Sequence, residues 1–404
     1  MGIGKPDSPY AAATANGPER FCPAVCARSF PGTRSMMARR VFQSWPCEGS
    51  VTVMRRIFPL SEKSYAIAAL LFLVFLNGCV ISPRRTTGGG GSGGGGGTSS
   101  GGKLYVTSGT SILRFDNALS VTGNIAPGGT ITGAATTLSS PHALQIDTGT
   151  DRLYVANQGG GSVLVFSAAS TLTGNVAPTA TVGRGTTGLS SPVGVALDTT
   201  RNLLYVADGT SISIFTGASS LSGTVNTPPT QSFITGFTIS EIFVDATNNI
   251  LYATGAADNT VAIYQSANAQ SGVGFASGTI VGPDTGLSQP AGVTLDPGGR
   301  LIVSNPGVPN LTAFSDPTAA NGDVLPAAVI KGSSTGLSSP AQMASTNSIT
   351  NGALYVADSR ASTVQIYSPI SNVTGTVNLA PSRQLSGATT TLSSPTGIAL
   401  DSTR

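Results

Sequence analysis

From Lys103 to Arg404 apolar positions alternate with small or polar ones in short runs, each closed by glycine, aspartate, asparagine or serine. Alternation with a period of two, rich in β-branched and aromatic residues, predicts strands. No window after Gly102 carries a sustained apolar stripe at helical spacing, so no helix is expected there. The stretch from Leu189 to Phe215 shows the unit. Val193 to Leu197, Leu204 to Ala207, Ile212 to Phe215 and, further on, Ser232 to Thr235 read as four successive strands.

Versions of this unit recur to the last residue. Leu-Tyr-Val-like cores begin at Leu104, Leu153, Leu204, Leu251, Leu301 and Leu354, at spacings of 49, 51, 47, 50 and 53 residues. A period of roughly 40 to 50 residues with several short strands per period marks a propeller blade. In the first strand Val193, Val195 and Leu197 are expected to point one way and Gly194 and Ala196 the other, so that bulk on one blade meets hollow on the next. The chain ends on such a first strand. Joining Asp401-Ser402-Thr403-Arg404 to Lys103-Leu104-Tyr105 reproduces the internal junction from Asp198 to Leu204. The expected fold is therefore all-β, a six-bladed β-propeller over residues 103–404, its ring closed by the C-terminal strand completing the first blade. Closure removes free sheet edges, and a chain of this length can bury a sufficient core as one domain.

The units resemble the NHL-repeat family, whose pattern is Pro-x-Gly-(apolar)-Ala-(apolar)-Asp followed by Tyr-Val-Ala-Asp. Pro192 to Asp198 with Tyr205 to Asp208 carry the likeness, as do Pro290 to Asp296, Pro395 to Asp401 and Tyr355 to Asp358. The unit at Thr238 to Asp245 lacks the proline, and the unit at Ser339 to Thr346 lacks the aspartate. The basic residues that RNA-binding members carry in the third strand are mostly replaced here by Ser, Thr or apolar residues. The resemblance implies the fold, and propellers host many activities.

Before the repeats the text changes character. Residues 1–53 hold Cys22, Cys26, Cys47 and Trp45 without clear periodicity, and are read as an over-extended start or an unstructured segment. Cys22 and Cys26 without a local histidine make a weak zinc signal. Residues 54–78 have a basic start at Arg55 and Arg56, an apolar run from Ala66 to Leu76, and the end Leu76-Asn77-Gly78-Cys79. That run is too short for a bilayer of about 30 Å and suits a signal peptide. Its end resembles a bacterial lipobox with Cys79 as the lipidated residue. Residues 79–102 then read as a Gly/Ser-rich tether, with an r.m.s. span of roughly 25 Å over the segment from Ser82 to Gly102. These features place the expected protein in a bacterial cell envelope, exported and anchored by lipid, with the outer membrane favoured because Val80 is not aspartate.

The chain's net charge of +3 hides an asymmetry: residues 1–78 carry nine basic against four acidic residues, leaving twelve against fourteen, or −2, for residues 79–404. Charges there are scattered singly, so no basic stripe exists to neutralise phosphates, and no nucleic-acid partner is expected. A monomer is expected.

Candidate chemistry is sparse. His142 is the only histidine and stands at the start of a first strand, near the channel mouth, either as a ligand contact or as a solvated turn residue. No His cluster or Ser-His-Asp arrangement can be assembled around it. Asp147, Asp198, Asp245, Asp296 and Asp401 fall at equivalent points. They could bind calcium through oxygen ligands, and the plainer reading is that each caps its own turn. Glu241 occupies the slot held by Gly194, Gly292 and Gly397, and Gln342 occupies it in another unit. A carboxylate in a glycine's place costs desolvation unless it reaches water or a partner, so both residues are candidates for the channel mouth, or mark degenerate units. Asn157, Asp208, Asp258, Asn305, Asp358 and Arg360 lie in the turns after the second strand, and variable polar loops on a rigid scaffold are where recognition resides.

The function expected from this set is a membrane-tethered, extracytoplasmic scaffold binding a protein, glycan or other envelope component, without a cofactor. Two alternatives stand beside it: a metal-dependent hydrolase or lactonase of the six-bladed type, and a structural adhesion module.

Overall fold

A computed structural model describes residues 101–404, Arg184 and Ile349 excepted. Cys79, the lipobox, the apolar run and all but the last two residues of the tether lie outside the described residues. No helix among the described residues is long and apolar enough to cross a membrane.

The described residues form six sheets, each built on four antiparallel strands; in five the strands run in sequence order from the inside out, and in the remaining one the C-terminal strand stands innermost ahead of the first three. The innermost strands are Ile398–Asp401, Pro141–Asp147, Pro192–Asp198, Glu241–Asp245, Val293–Leu295 and Pro340–Ser345, for blades 1 to 6 in turn. Each packs against the innermost strand of the next blade, and the last against the first. The protein is a six-bladed β-propeller. Closure is as the sequence predicts: Leu104 pairs with Leu400, Tyr105 with Ala399 and Val106 with Ile398.

Burial follows the alternation. Tyr105, Tyr154, Tyr205, Tyr252 and Tyr355, the tyrosines of the repeat core, are fully buried between blades. Val195 and Leu197 pack towards blade 2, with Val163 and Ala180, while Ala196 packs towards blade 4, with Ile242 and Val244. Val193 departs from the expected alternation and joins Ala196's side. The cause is a bulge: Pro192 pairs with Asp208 and Gly194 with Ala207, so Val193 is an extra residue. Blades 2 and 6 carry the same irregularity, after Pro141 and after Pro340.

The long connections between third and outer strands do more than link them. Each runs back along the outer strand of the preceding blade as a parallel edge: Gly223–Val225 on Ala180–Gly183, Gly272–Val273 beside Phe233 and Ile234, and Gly375–Val377 on Ala328–Lys331. Single bridges do the same at Gly123, Gly174 and Gly322. The exposed ladder of every blade is thus covered by its neighbour. All six glycines have left-handed backbones, with φ between 63° and 84°, which explains the residue type at this place.

Charged side chains serve the same seams. Among the described residues four arginines reach the same carbonyl of the following connection, two residues before its glycine. Arg114 donates to Leu172 O at 2.9 Å, Arg152 to Leu221 O at 2.8 Å, Arg300 to Val373 O at 2.5 Å and Arg383 to Val121 O at 3.1 Å. They come from the third, second, second and outer strands of their blades, or the turn leading into them, so the convergence is spatial and not sequential. Singly scattered charge in the sequence is here a set of blade-to-blade staples.

Candidate ligand-binding face

One face of the ring gathers the starts of the innermost strands and the turns after the second strands; the other gathers the turns that the repeat aspartates begin. Those aspartates cap their own turns. Asp147 Oδ1 accepts from Gly149 N at 2.9 Å, Asp198 Oδ1 from Arg201 N at 2.9 Å and Asp245 Oδ1 from Thr247 N at 3.0 Å. Asp296 Oδ1 accepts from Gly298 N at 2.9 Å and Asp401 Oδ1 from Thr403 N at 2.8 Å.

On the first face most of the expected recognition residues are turned inward. Asn157 is 1% exposed; its Oδ1 accepts from Ser139 N and its Nδ2 donates to Thr137 O. Asn305 accepts from Ser288 N at 3.1 Å and donates to Asn310 Oδ1 at 2.8 Å. Asp208 accepts from Ser190 N and Ser191 N, and Asp358 from Ser338 N, Ser339 N and Ala361 N. Each clamps the Leu-Ser-Ser-Pro or Leu-Ser-Gln-Pro loop that leads into its own innermost strand. Two of the expected residues remain at the surface: Asp258, in the turn of blade 4, and Arg360, in that of blade 6.

His142, Glu241 and Gln342 all stand on the channel wall. His142 Nδ1 lies 2.7 Å from Val193 O, one blade on, and since a carbonyl only accepts, Nδ1 is the donor. Burial holds its pKa below the usual imidazole value, against a smaller opposing effect of that carbonyl. The bond has a reason in the repeat. At two other seams a hydroxyl from the second strand reaches the same carbonyl, Thr254 Oγ1 to Ala291 O at 3.0 Å and Ser304 Oγ to Ala341 O at 2.8 Å. Blade 2 has Ala156 at that position, and the imidazole takes over the bond.

Gln342, 8% exposed, is fully engaged. Its Oε1 accepts from Leu144 N at 3.0 Å and Ile398 N at 2.8 Å, and its Nε2 donates to Leu144 O at 3.1 Å. One amide from blade 6 therefore ties blades 1 and 2 across the channel. Glu241 is 2% exposed and accepts from Ile242 N at 2.9 Å. Its Oε1 lies beside Gly194, where a Cβ would come within 2.9 Å. Desolvation raises its pKa well above the usual carboxylate value, outweighing the backbone N–H that lowers it. Of the three, His142 and Gln342 are joined through Thr396, whose hydroxyl donates to His142 O and whose carbonyl accepts from Gln342 N. Among the described residues no group of three or more His, Cys, Asp or Glu side chains is placed to hold a metal ion.

Comparison with known proteins bears on the ring. No family model matches the chain, and no curated protein matches it. Among solved structures, the chain is similar to the crystal structure of a nidogen/laminin complex, with a TM-score of 0.52 and 17% identity over 74% of this chain and 98% of that one. That likeness agrees with the fold. Weaker likenesses are seen to Kuenenia stuttgartiensis hydrazine synthase, with a TM-score of 0.40 and 15% identity over 60% of this chain and 66% of that one. A functionally unknown protein from Desulfotomaculum acetoxidans has a TM-score of 0.46 and 14% identity over 72% of this chain and 83% of that one.

Proposed function

We propose that the protein is a non-enzymatic binding scaffold, engaging a protein or glycan of a cell envelope through the face that carries the turns after the second strands. One observation carries the reading. The inward polar side chains of that face are consumed by the ring's own backbone, while Asp258 and Arg360 remain exposed on loops held by a rigid frame. The similar ring belongs to a nidogen/laminin complex, which supports a protein as the partner here. A lipid on Cys79 and the Gly/Ser-rich tether would keep the scaffold at a membrane, and the NHL-type repeat pattern fits an interaction role. The lactonase alternative is less well supported. It needs carboxylates and amides converging free in the channel, whereas Glu241 lies against Gly194 and the Gln342 amide is spent on Leu144 and Ile398.

The test uses the full chain as bait against cross-linked envelope fractions, with Asp258→Ala/Arg360→Ala as the comparison. Loss of a captured component with an unchanged melting temperature supports the reading. Hydrolysis of a lactone panel that disappears in Glu241→Gln overturns it in favour of an enzyme.

A further inference from the structure

On the face opposite those loops, between the turns of blades 2 and 3, lies an open cleft of about 360 Å³ lined by Asp147, Thr150, Asp198, Thr199, Asn202 and Ser219. The repeat explains why there is space. In blade 3, Arg201 Nη1 lies 2.8 Å from its own Asp198 Oδ2 and 2.8 Å from Ala246 O in blade 4, spanning the seam. Arg300 pairs with Asp296 and Arg404 with Asp401 from the matching turns, and both also reach into the following blade. In blade 2 the residue three after the aspartate is Thr150. Its hydroxyl stops at Asp147 Oδ2. The seam is spanned instead by Arg152, the cross-strand partner of Asp147, whose guanidinium donates to Leu221 O rather than to a carbonyl of the blade 3 turn.

Asp147 is the odd member of the set in charge as well. It is 8% exposed, and none of the ion pairs among the described residues includes it, whereas Asp198, Asp296 and Asp401 each face an arginine. Blade 4 also lacks the arginine, but there Asn248 Nδ2 donates to Asp245 Oδ2 at 2.7 Å and Asp245 is only partly buried. Thr199 is the counterpart of Ala246, the residue whose carbonyl receives Arg201. Asp147 and Thr199 thus line one cleft without the turn arginine that blades 3 and 1 place there, the Arg152 guanidinium being engaged at Leu221 O.

We propose that this cleft binds a guanidinium group on an alkyl stem, held between the Asp147 carboxylate and the Thr199 carbonyl. The stem would belong to an arginine of a partner polypeptide or to a free alkylguanidine. A buried carboxylate without a cation is costly, and a guanidinium neutralises it while giving further donors to the carbonyl. Asp147 Oδ2 accepts one hydrogen bond in the structure, from Thr150, and a carboxylate oxygen can take a second. A lysine ammonium is a point charge without the planar fork and fits the pair less well. The site lies on the other face from the loops and does not depend on the scaffold reading.

Calorimetric titration of the full chain tests it, using N-acetyl-arginine amide, butylguanidinium and N-acetyl-lysine amide. The expected result is one site for the guanidinium compounds, with the lysine compound weaker by about tenfold, the loss of one charge-assisted hydrogen bond. Tighter binding of the arginine amide points to a polypeptide, and tighter binding of butylguanidinium to a free ligand. Asp147→Asn is expected to abolish the heat. Since that change also weakens a turn, Thr150→Arg is the second variant. It supplies the side chain that blades 3 and 1 carry, and is expected to raise the melting temperature and remove binding. Absence of heat at millimolar ligand, equal affinity for the lysine compound, or a titration that survives Thr150→Arg would overturn the proposal.

Discussion

Gln342 and Leu144 stand 198 positions apart and exchange two hydrogen bonds, Leu144 N to Gln342 Oε1 at 3.0 Å and Gln342 Nε2 to Leu144 O at 3.1 Å. Together with Ile398 N, they make one side chain a clasp over the junction where the C-terminal strand closes the ring.

Removing that clasp strands two buried N–H donors. Gln342→Ala is expected to destabilise by about 2 to 4 kcal/mol, the desolvation cost of the orphaned groups, and to lower Tm by on the order of 5 to 10 °C. Thermal melting of the variant beside wild type measures it. A shift within a degree would mean that water replaces the amide without loss.

Glu241 gives the ring a pH dependence of definite sign. Its folded pKa lies well above the ordinary carboxylate value of 4.5, because the carboxyl is buried. Below that value both folded and unfolded chains are protonated and nothing is lost. As pH rises above it the unfolded chain ionises first, and stability falls until the folded carboxyl titrates too, by about 1.4 kcal/mol per unit at most. Glu241→Gln is therefore expected to gain on wild type between pH 4.5 and 7, in denaturant midpoints taken across that range. A gap that stays constant with pH would show an ionised Glu241.

Two glycines fail for different reasons when replaced. At Gly292 a Cβ would lie 2.3 Å from Ala341 O in the next blade, so Gly292→Ala must push two innermost strands apart. At Gly174 nothing lies within 4 Å, and only φ of +84° resists a side chain. Gly174→Ala is expected to cost about 1 to 2 kcal/mol, the left-handed penalty. Gly292→Ala is expected to cost more and to broaden the melting transition, as differential scanning calorimetry would record.

Arg300 holds Asp296, whose side chain is fully buried, and two carbonyls of blade 6. Arg300→Ala leaves that carboxylate without its cation and is expected to cost about 3 kcal/mol. Arg300→Lys should recover less than half, because an ammonium cannot serve Asp296, Ile370 O and Val373 O together. Chemical denaturation of the three proteins gives the comparison, and full recovery by lysine would show that charge alone matters.

The ring was legible in the sequence because its causes are local and repeated. Period-two alternation makes each strand, the spacing of the Leu-Tyr-Val cores counts the blades, and the match between Asp401 to Arg404 and Asp198 to Arg201 announces how the ends meet. The turn role of the repeat aspartates was legible too, since an Asx-type cap needs only the next few backbone amides.

The fate of the unusual residues was not. His142, Glu241 and Gln342 stand out against their repeats, but whether a polar side chain meets a ligand or a neighbour's carbonyl depends on the few ångströms between blades. Repeat alignment carries no distance across a seam. Asn157, Asp208, Asn305 and Asp358 look like loop polarity in one dimension and become internal clamps in three, because the loops they hold fold back onto the second strand. The four arginines that share one carbonyl position come from different places in their blades, so no motif marks them. Local pattern determined the strands and their number; packing between blades decided which polar groups the ring keeps for itself and which it offers to solvent.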